Sequence, residues 1–443
     1  MRTPILVICV LVSLATAACR KKGCTDSDAD NYDPSAKKDD GSCYFTGPTW
    51  YTDVQIGSST WHQLSDTIYE DVTLTVGENW LLSGGVFIAS GVVFTIEPGT
   101  TIYAADDATT PFLSVLQGAA IDACGTAAAP IVFTSMKTTP QPGDWAGIIL
   151  NGLAVINTGL TAEGDGGTGI YGGSNDADFS GSLCYVRVEY AGATLGSTPS
   201  NAFSFNGCGD ATELNHLQAY RCAGDGVKFR GGQVNLKYAL SSGCAGNSFV
   251  WTDGWRGNAQ FWVCEQSGDA GDFGILGMNQ LGNEMASPVS DPIISNVTLI
   301  GMDDGDGNNI GIRFSGGTQG DIYNTVLTGF PKRGVQTDGD STISKMTQSL
   351  LTLSYSITDN VYPFKFIASS GNDTVTVLMM NDATFENQIA SDGSLVGFLD
   401  GFVGTETGSA FDPFVIGGWF TSAPYVGAVD PLADWTLGWT KDL

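Results

Sequence analysis

Two stretches decide the fold of this chain: Leu214–Gly224, LNHLQAYRCAG, and Leu236–Gly246, LKYALSSGCAG. Each is a short strand with alternate apolar side chains followed by a glycine turn, and the two terminal glycines are 22 residues apart. Such alternation is typical of a half-buried β-strand. A repeat of this length made of strands and turns indicates a solenoid whose coils bury their apolar faces by stacking. The pattern therefore predicts a parallel β-helix.

The same pattern recurs along most of the chain. Clear copies are Leu183–Gly192, Ala259–Gly268, Ile294–Gly301 and Ile322–Gly329, and more diverged ones begin at Val86, Val115 and Ile148. Because the glycine intervals of the diverged copies vary, one turn of each coil is expected to accept insertions. We assign residues 44–70 to a linker, 71–360 to the β-helix and 361–443 to a last coil and a cap over the open strand edge.

Composition supports an all-β stack and excludes some partners. The chain has 59 glycines, 42% hydrophobic residues and only 15% charged residues, which supplies many turns and ample core material. It carries 47 acidic against 19 basic residues, a net charge of -28. This field repels phosphate backbones, so nucleic acid is not an expected partner. An acidic surface can hold calcium through side-chain oxygens.

The N-terminus predicts export. Arg2 precedes the apolar stretch Ile5–Leu14, which small residues follow, so residues 1–18 are predicted to be a signal peptide. Cys19 follows Ala17-Ala18, and this arrangement resembles the lipobox of bacterial lipoproteins, in which the cysteine is acylated. Residues 19–23 would then be a lipid anchor segment, the sole membrane contact, with the protein in the cell envelope at the outer membrane. Cleavage by ordinary signal peptidase, giving a secreted protein, stays open.

An acidic module lies between Cys24 and Cys43. Asp26, Asp28 and Asp30 occupy every second position, which would let their carboxylates converge on one calcium ion. A solvated acidic spacer without metal remains the alternative, because no bidentate glutamate follows. The run from Cys-Thr-Asp through Asn-Tyr-Asp-Pro to Asp-Asp-Gly-Ser-Cys resembles a small module of envelope and secreted proteins of the Bacteroidota, and a Cys24–Cys43 disulfide is expected.

A second disulfide is predicted within the coils. Cys222 and Cys244 occupy the same coil position one repeat apart, so their Cα atoms should lie ~5 Å apart, within disulfide range. Two stacked, reduced and buried thiols are the alternative. The sequence leaves open the connectivity of Cys124, Cys184, Cys208 and Cys264.

Most of residues 70–443 also resembles a family. The motifs that carry the resemblance are Phe94–Ile102, Gly125–Ser135, Pro142–Gly147, Tyr185–Gly192 and Trp435–Thr440. They are similar to acidic bacterial envelope lipoproteins with a right-handed, single-stranded parallel β-helix. The resemblance implies this fold and an envelope location, and it implies no established reaction. The chain departs from the family at Asn247–Val250, where relatives often have aspartates.

Catalytic candidates are few. Asp303, Asp304 and Asp306 lie in a glycine-rich stretch that is more typical of a solvated or calcium-holding loop than of an acid/base pair. Only two histidines exist, His62 and His216, and neither has a nearby serine or cysteine motif that would form a triad.

Binding candidates are cationic and aromatic. Lys228 and Arg230 alternate with apolar residues and are expected to point outward, as a short stripe for an acidic glycan or as ordinary surface charges. Arg313 holds the matching place in a later coil. Trp255, beside Arg256, lies between two glycines in a turn, where an indole could stack on a sugar or a protein partner, or fold over the coil edge.

The sequence thus predicts a noncatalytic, monomeric envelope lipoprotein whose β-helix binds a glycan or an envelope protein. The alternative is a polysaccharide-degrading lyase or hydrolase on the same fold. Carboxylates converging on one groove would favour the enzyme. A flat face with an exposed Trp255 would favour the binding protein.

Overall fold

The structure is a computed structural model, and it describes residues 21–25, 29, 31–43, 50–267, 271–302, 309–360, 364–367, 382–389, 409–430 and 432–442. The chain divides into two compact units, Met1–Thr49 and Trp50–Leu443. In the first unit, Cys24 and Cys43 form a disulfide with their Cα atoms 4.7 Å apart, which confirms the predicted pairing. Cys19, Asp26, Asp28 and Asp30 lie outside the described residues.

The second unit consists mainly of short strands. In chain order these are β1 (Thr52–Ile56), β2 (Ser59–Ile68), β3 (Val72–Leu74), β4 (Trp80–Ile88), β5 (Val93–Ile96), β6 (Thr101–Ala104), β7 (Phe112–Val115), β8 (Ala120–Cys124), β9 (Ile131–Ser135), β10 (Ile148–Asn151), β11 (Ala162–Glu163), β12 (Ile170–Tyr171), β13 (Gly181–Glu189), β14 (Thr194–Leu195) and β15 (Thr198–Pro199). They continue with β16 (Phe203–Asn206), β17 (Glu213–Tyr220), β18 (Val227–Arg230), β19 (Asn235–Ser242), β20 (Phe249–Thr252), β21 (Asn258–Glu265), β22 (Phe273–Met278), β23 (Ile293–Ile300), β24 (Ile310–Ser315), β25 (Gly320–Thr328), β26 (Arg333–Asp338), β27 (Leu351–Ser354), β28 (Ile357–Asp359), β29 (Phe364–Ile367) and β30 (Gln388–Ile389). One α-helix, α1 (Asp340–Thr347), follows β26.

The strands stack as three ladders of parallel pairs, so each coil contributes one segment to ladder A, then B, then C. Ladder A runs from the end of β2 through the end of β4 and then β7, β10, β16, β18, β20, β22, β24, β26 and β29. Ladder B runs through β3, β5, β8, the first halves of β13, β17, β19, β21, β23 and β25, and β27. Ladder C runs through the starts of β2 and β4 and then through β6 and β9. It continues through the second halves of the long strands β13, β17, β19, β21, β23 and β25 and ends with β28 and β30. This stack confirms the predicted parallel β-helix.

A single residue turns the chain from ladder B to ladder C, at a position that we call the B–C corner. These residues have a left-handed backbone although none is glycine: Tyr185, His216, Tyr238, Phe261, Asn296, Asn324 and Tyr355, with φ from 51° to 62°. Such a conformation is uncommon for non-glycine residues. Ring stacking between successive coils offsets the cost of this conformation: the ring centres of Tyr185 and His216 are 4.0 Å apart, and those of His216 and Tyr238 are 4.4 Å apart.

Alternation along each strand separates the core from the outside. In β18, Val227 and Phe229 are fully buried inside the helix, whereas Lys228 and Arg230 lie on its outer side. Aromatic rings stack through the core: Phe229 lies 5.8 Å from Trp262, which lies 4.4 Å from Phe249. Full burial of each such side chain contributes about 2 to 3 kcal/mol, so the stacked rings are a major source of stability.

The ends of the β-helix differ from the predicted boundaries. Residues 50–68 are not a linker: β1 pairs antiparallel with the start of β2, and β2 already belongs to ladders A and C. Polar outer residues on β2 obscure its alternation in the sequence. At the other end, residues 409–430 and 432–442, which we call the strap, lie along the side of the coils, with Phe411 bound to Asn324 and Lys441 to Gln218. The segment 390–408 lies outside the described residues.

The cysteines of the coils pair differently from the prediction. Cys222 and Cys244 do lie one coil apart, but both are free and buried. The Cys222 thiol donates to the main-chain carbonyl of Tyr220, and the Cys244 thiol donates to that of Ala219. Burial raises the pKa of the Cys222 thiol. The disulfide of the coils is instead Cys124–Cys184, which joins residues directly paired between β8 and β13.

Candidate functional site

The chain covers the outer side of ladder A over its first half. The excursion between β10 and β13 lies on it: the main-chain carbonyl of Thr168 accepts hydrogen bonds from Ser114 at 2.5 Å and from Asn151 at 2.9 Å. Leu195, in the β14–β15 hairpin, packs on Ile149. Outward side chains of ladder A from β7 to β20 are buried, except those of Lys228 and Arg230 on β18, which are half-buried.

Local ion pairs and this cover leave the predicted cationic stripe mostly shielded from solvent. The Lys228 ammonium is 3.1 Å from Asp225, and the Arg230 guanidinium pairs with Asp165 on the covering excursion. Only 13% of the Arg230 side chain is exposed. Arg230 therefore fastens the cover to the coils, whereas Lys228 is held by Asp225 in the turn before β18, and the expectation of an accessible stripe is corrected.

The predicted binding aromatic is also part of the core. Trp255 is fully buried, its ring stacks 4.3 Å from Phe229, and its indole nitrogen donates to the Val234 carbonyl at 3.0 Å. The neighbouring glycine makes this possible, because a Cβ at Gly257 would lie 2.6 Å from the indole nitrogen. Arg256 stays partly exposed and pairs with Asp176 at 3.2 Å. The expectation that the Trp255 indole is exposed in a turn is therefore wrong.

The outer side of ladder A opens into a cleft from β22 to β26. It has a volume of about 600 Å³, within the usual range for small-ligand pockets. Its floor is formed by outward residues of three successive coils, and its wall is the turn after β22. The main lining residues are Leu276, Met278, Arg313, Ser315 and Asp338 on the floor, and Gln280, Leu281 and Glu284 on the wall.

An ion pair organises the polar part of the cleft. The Arg313 Nε and Nη2 atoms both lie 2.6 Å from Asp338 Oδ2, and Gln336 Nε2 donates to Asp338 Oδ1 at 2.9 Å. The guanidinium also lies 5.2 Å from the centre of the Phe273 ring. These contacts fix Arg313 and Asp338 while 36% of the arginine side chain remains exposed. The pair thus presents donors and acceptors at fixed positions.

Apolar side chains form the rest of the cleft. Leu276 and Met278 are half-buried in the floor, and Leu281 is 88% exposed at the rim. Met285, on the same turn, is 77% exposed. Leu281 thereby adds exposed apolar surface to the rim of the cleft. The cleft therefore combines apolar side chains with a few ordered polar groups, as ligand sites commonly do.

The chemistry available in the cleft is limited. It holds two carboxylates, Asp338 and Glu284, and Asp338 is engaged by Arg313 and Gln336. A carboxylate so occupied is poorly suited to transfer a proton. Within the described ranges, no group of three or more His, Cys, Asp or Glu side chains could hold a metal ion. Asp303, Asp304 and Asp306 lie outside them.

The sequence identified one residue of this cleft and missed the others. Arg313 was recognised from its alternation with Ile312 and Phe314. Asp338 sits in the same outward register of β26, after Gln336, and this alternation was the available signal. The wall could not be located, because no local pattern shows where the cover over ladder A ends.

No helix in the described part of the chain has the length and hydrophobicity needed to cross a membrane. Family-level comparison matches residues 66–400 to the pectate-lyase-like beta helix domain. Comparisons with curated proteins and with solved structures found no match.

Proposed function

Because the chain belongs to the pectate-lyase-like beta helix family, we propose that it binds a glycan in the cleft between β22 and β26 without cleaving it. The family takes its description from an enzyme that acts on pectate, a polysaccharide, and this supports a carbohydrate-related role. The observation that carries the proposal is the fixed Arg313–Asp338 pair beside the apolar side chains of Leu276 and Met278 in the cleft floor. Guanidinium and carboxylate groups bind sugar hydroxyls and carboxylates, while Leu276 and Met278 can contact the apolar face of a ring.

The absence of cleavage follows in this proposal from the state of the carboxylates. Hydrolysis needs one carboxyl group as an acid and a second as a base or nucleophile. Asp338 is held by Arg313 and Gln336, which leaves Glu284 as the other carboxylate of the cleft. The presence of Glu284 keeps a polysaccharide-degrading enzyme as the second candidate function.

Binding and cleavage can be measured together. The full chain is incubated with a panel of neutral and acidic oligosaccharides, and both retention and product release are scored. We expect retention without release. Arg313→Ala should weaken retention by about 1 to 3 kcal/mol, because a charge-assisted contact is lost. Arg221→Ala removes the same side chain from an exposed position outside the cleft and should change nothing.

Two results would contradict the proposal that this cleft binds a glycan without cleaving it. Release of products that Glu284→Gln abolishes, in a folded variant, would establish the enzyme. Equal retention by wild type and by Arg313→Ala would place the ligand elsewhere.

We further propose that the protein is a monomeric lipoprotein anchored in the outer membrane through Cys19, and that Asp26, Asp28 and Asp30 bind calcium. The signal-like sequence before Cys19 and the alternating aspartates support these assignments. A fatty-acid analogue should label the wild type and not Cys19→Ala. Calcium titration of the full chain should show a site that is lost when the three aspartates become asparagines.

A further inference from the structure

Three side-chain amides on the coils hold the strap by its main chain. Gln218 accepts from the Lys441 N–H at 2.8 Å and donates to its carbonyl at 2.9 Å. Gln260 does the same to Thr421, with both distances 2.8 Å. Asn324 does the same to Phe411, at 2.9 and 2.7 Å. All three amides are fully buried beneath the strap.

This arrangement recognises a main chain rather than a particular side chain. A side-chain amide offers one acceptor and two N–H donors, which match the N–H and C=O of a single residue of an extended peptide. Asn296 adds bonds to the Ala423 and Tyr425 carbonyls, at 3.2 and 2.8 Å. None of the described strap residues belongs to a strand of the three ladders. The strap is therefore held as a bound peptide is held, not as an added strand.

The end of the strap also fills side-chain sites. The Lys441 ammonium lies 2.7 Å from Glu189, a carboxylate that is only 2% exposed, and 5.1 Å from the centres of the Tyr190 and Tyr220 rings. Trp439 is buried with its ring 5.6 Å from Tyr185. These two side-chain contacts favour tryptophan at 439 and lysine at 441, and they fix the alignment of the strap along the coils. The amides bind the main chain of the strap.

We propose that the B–C corner and the strands beside it form a peptide-binding site, that the strap is its ligand, and that the strap of a second copy can enter it. The covalent tether gives the chain's own strap a high effective concentration, so the site is normally filled in cis. Since the contacts are main-chain bonds and two side-chain sites, the same segment from another molecule makes all of them. Exchange of an identical segment between copies is a known route to dimers.

The test uses the full chain with its strap loosened by Trp439→Ala and Lys441→Ala, which leaves the corner unaltered. A fluorescent synthetic peptide of residues 409–443 is added, and anisotropy is recorded. We expect saturable one-to-one binding to the loosened chain and binding at least about tenfold weaker to the wild type, whose own strap competes. If the double variant does not fold, Lys441→Ala alone serves the same purpose.

Matched peptides test the binding mode. N-methylation at Thr421 and Lys441 keeps every side chain but removes the two N–H groups that Gln260 and Gln218 accept from, and should weaken binding about tenfold or more. A peptide with Leu437→Ala, at a position that is 69% exposed, should bind like the unmodified one. The proposal is overturned if the folded, loosened chain binds no peptide, or if N-methylation has no effect.

Discussion

At the scale of single residues, His216 shows how stacking changes a side chain's chemistry. Its ring lies between Tyr185 and Tyr238, and Nδ1 is 2.9 Å from the side-chain oxygen of Asn215. Burial among these groups disfavours the charged imidazolium, so the pKa of His216 falls to about 4. The unfolded chain, with a histidine pKa of about 6.5, binds this proton more readily.

The lowered pKa of His216 makes the folded state less stable at low pH. Because the folded-state pKa is lowered, the contribution of His216 is complete above about pH 6.5 and is lost as the pH falls towards 4. Between pH 7 and pH 4.5 we expect the wild type to lose about 2 kcal/mol more than His216→Tyr, after allowance for partial exposure. Urea unfolding at both pH values measures the difference. An equal loss in the two proteins would show that His216 is not the titrating group.

A second residue-scale prediction concerns Trp255. Its burial against Phe229 and its hydrogen bond to Val234 make it a core residue. Trp255→Ala should lower the free energy of unfolding by about 3 to 5 kcal/mol, the range for removing a large aromatic from a core. Trp61→Ala, at a half-buried position on β2, should have a smaller effect. Thermal melts of the two variants decide; an unchanged melting temperature for Trp255→Ala would contradict the burial.

At the scale of elements, the sequence predicted the strands better than it predicted their loops. Alternation and the 22-residue interval between Gly224 and Gly246 depend on contacts with the adjacent coil, so they can be recognised locally. Trp255 was misassigned because glycines on both sides suggested an exposed turn, whereas Gly257 leaves room for the indole to enter the core. The cleft depends on where a distant excursion stops covering ladder A, and no local pattern carries that information.

A prediction at the scale of elements concerns the stability that the Cys124–Cys184 disulfide gives to the β-helix. It joins β8 to β13 across 60 residues, and closing a loop of that length stabilises by about 4 kcal/mol in the chain-entropy model. Cys124→Ser with Cys184→Ser should therefore lower the melting temperature of the β-helix. The Cys24–Cys43 disulfide lies in the other compact unit, so its double serine variant should leave that temperature unchanged. Equal effects of the two double variants would contradict the assignment.

At the scale of the whole molecule, the strap changes how a solenoid can unfold. Coils of a solenoid contact only their neighbours, so their stabilities are nearly local and an end can open by itself. The strap contacts Glu189 through Lys441 and Asn324 through Phe411, and these two coils are far apart along the stack. It therefore links the opening of β13 to that of β25, which stacking alone does not do.

Removing one end of the strap should uncouple these coils. Lys441→Ala leaves the buried Glu189 with Arg187 as its remaining cation, at 2.6 Å, and should lower the free energy of unfolding by roughly 1 to 3 kcal/mol. Hydrogen exchange should then rise in β13 to β19, while β5 to β7, for which no contact with the described strap residues is seen, keep their protection. The control is Lys137→Ala, which removes a cation that lies 2.8 Å from Asp144 and has no described contact with the strap. This variant should leave exchange in β13 to β19 unchanged. If Lys441→Ala raised exchange evenly along all coils, or nowhere, the strap would not be the element that couples them.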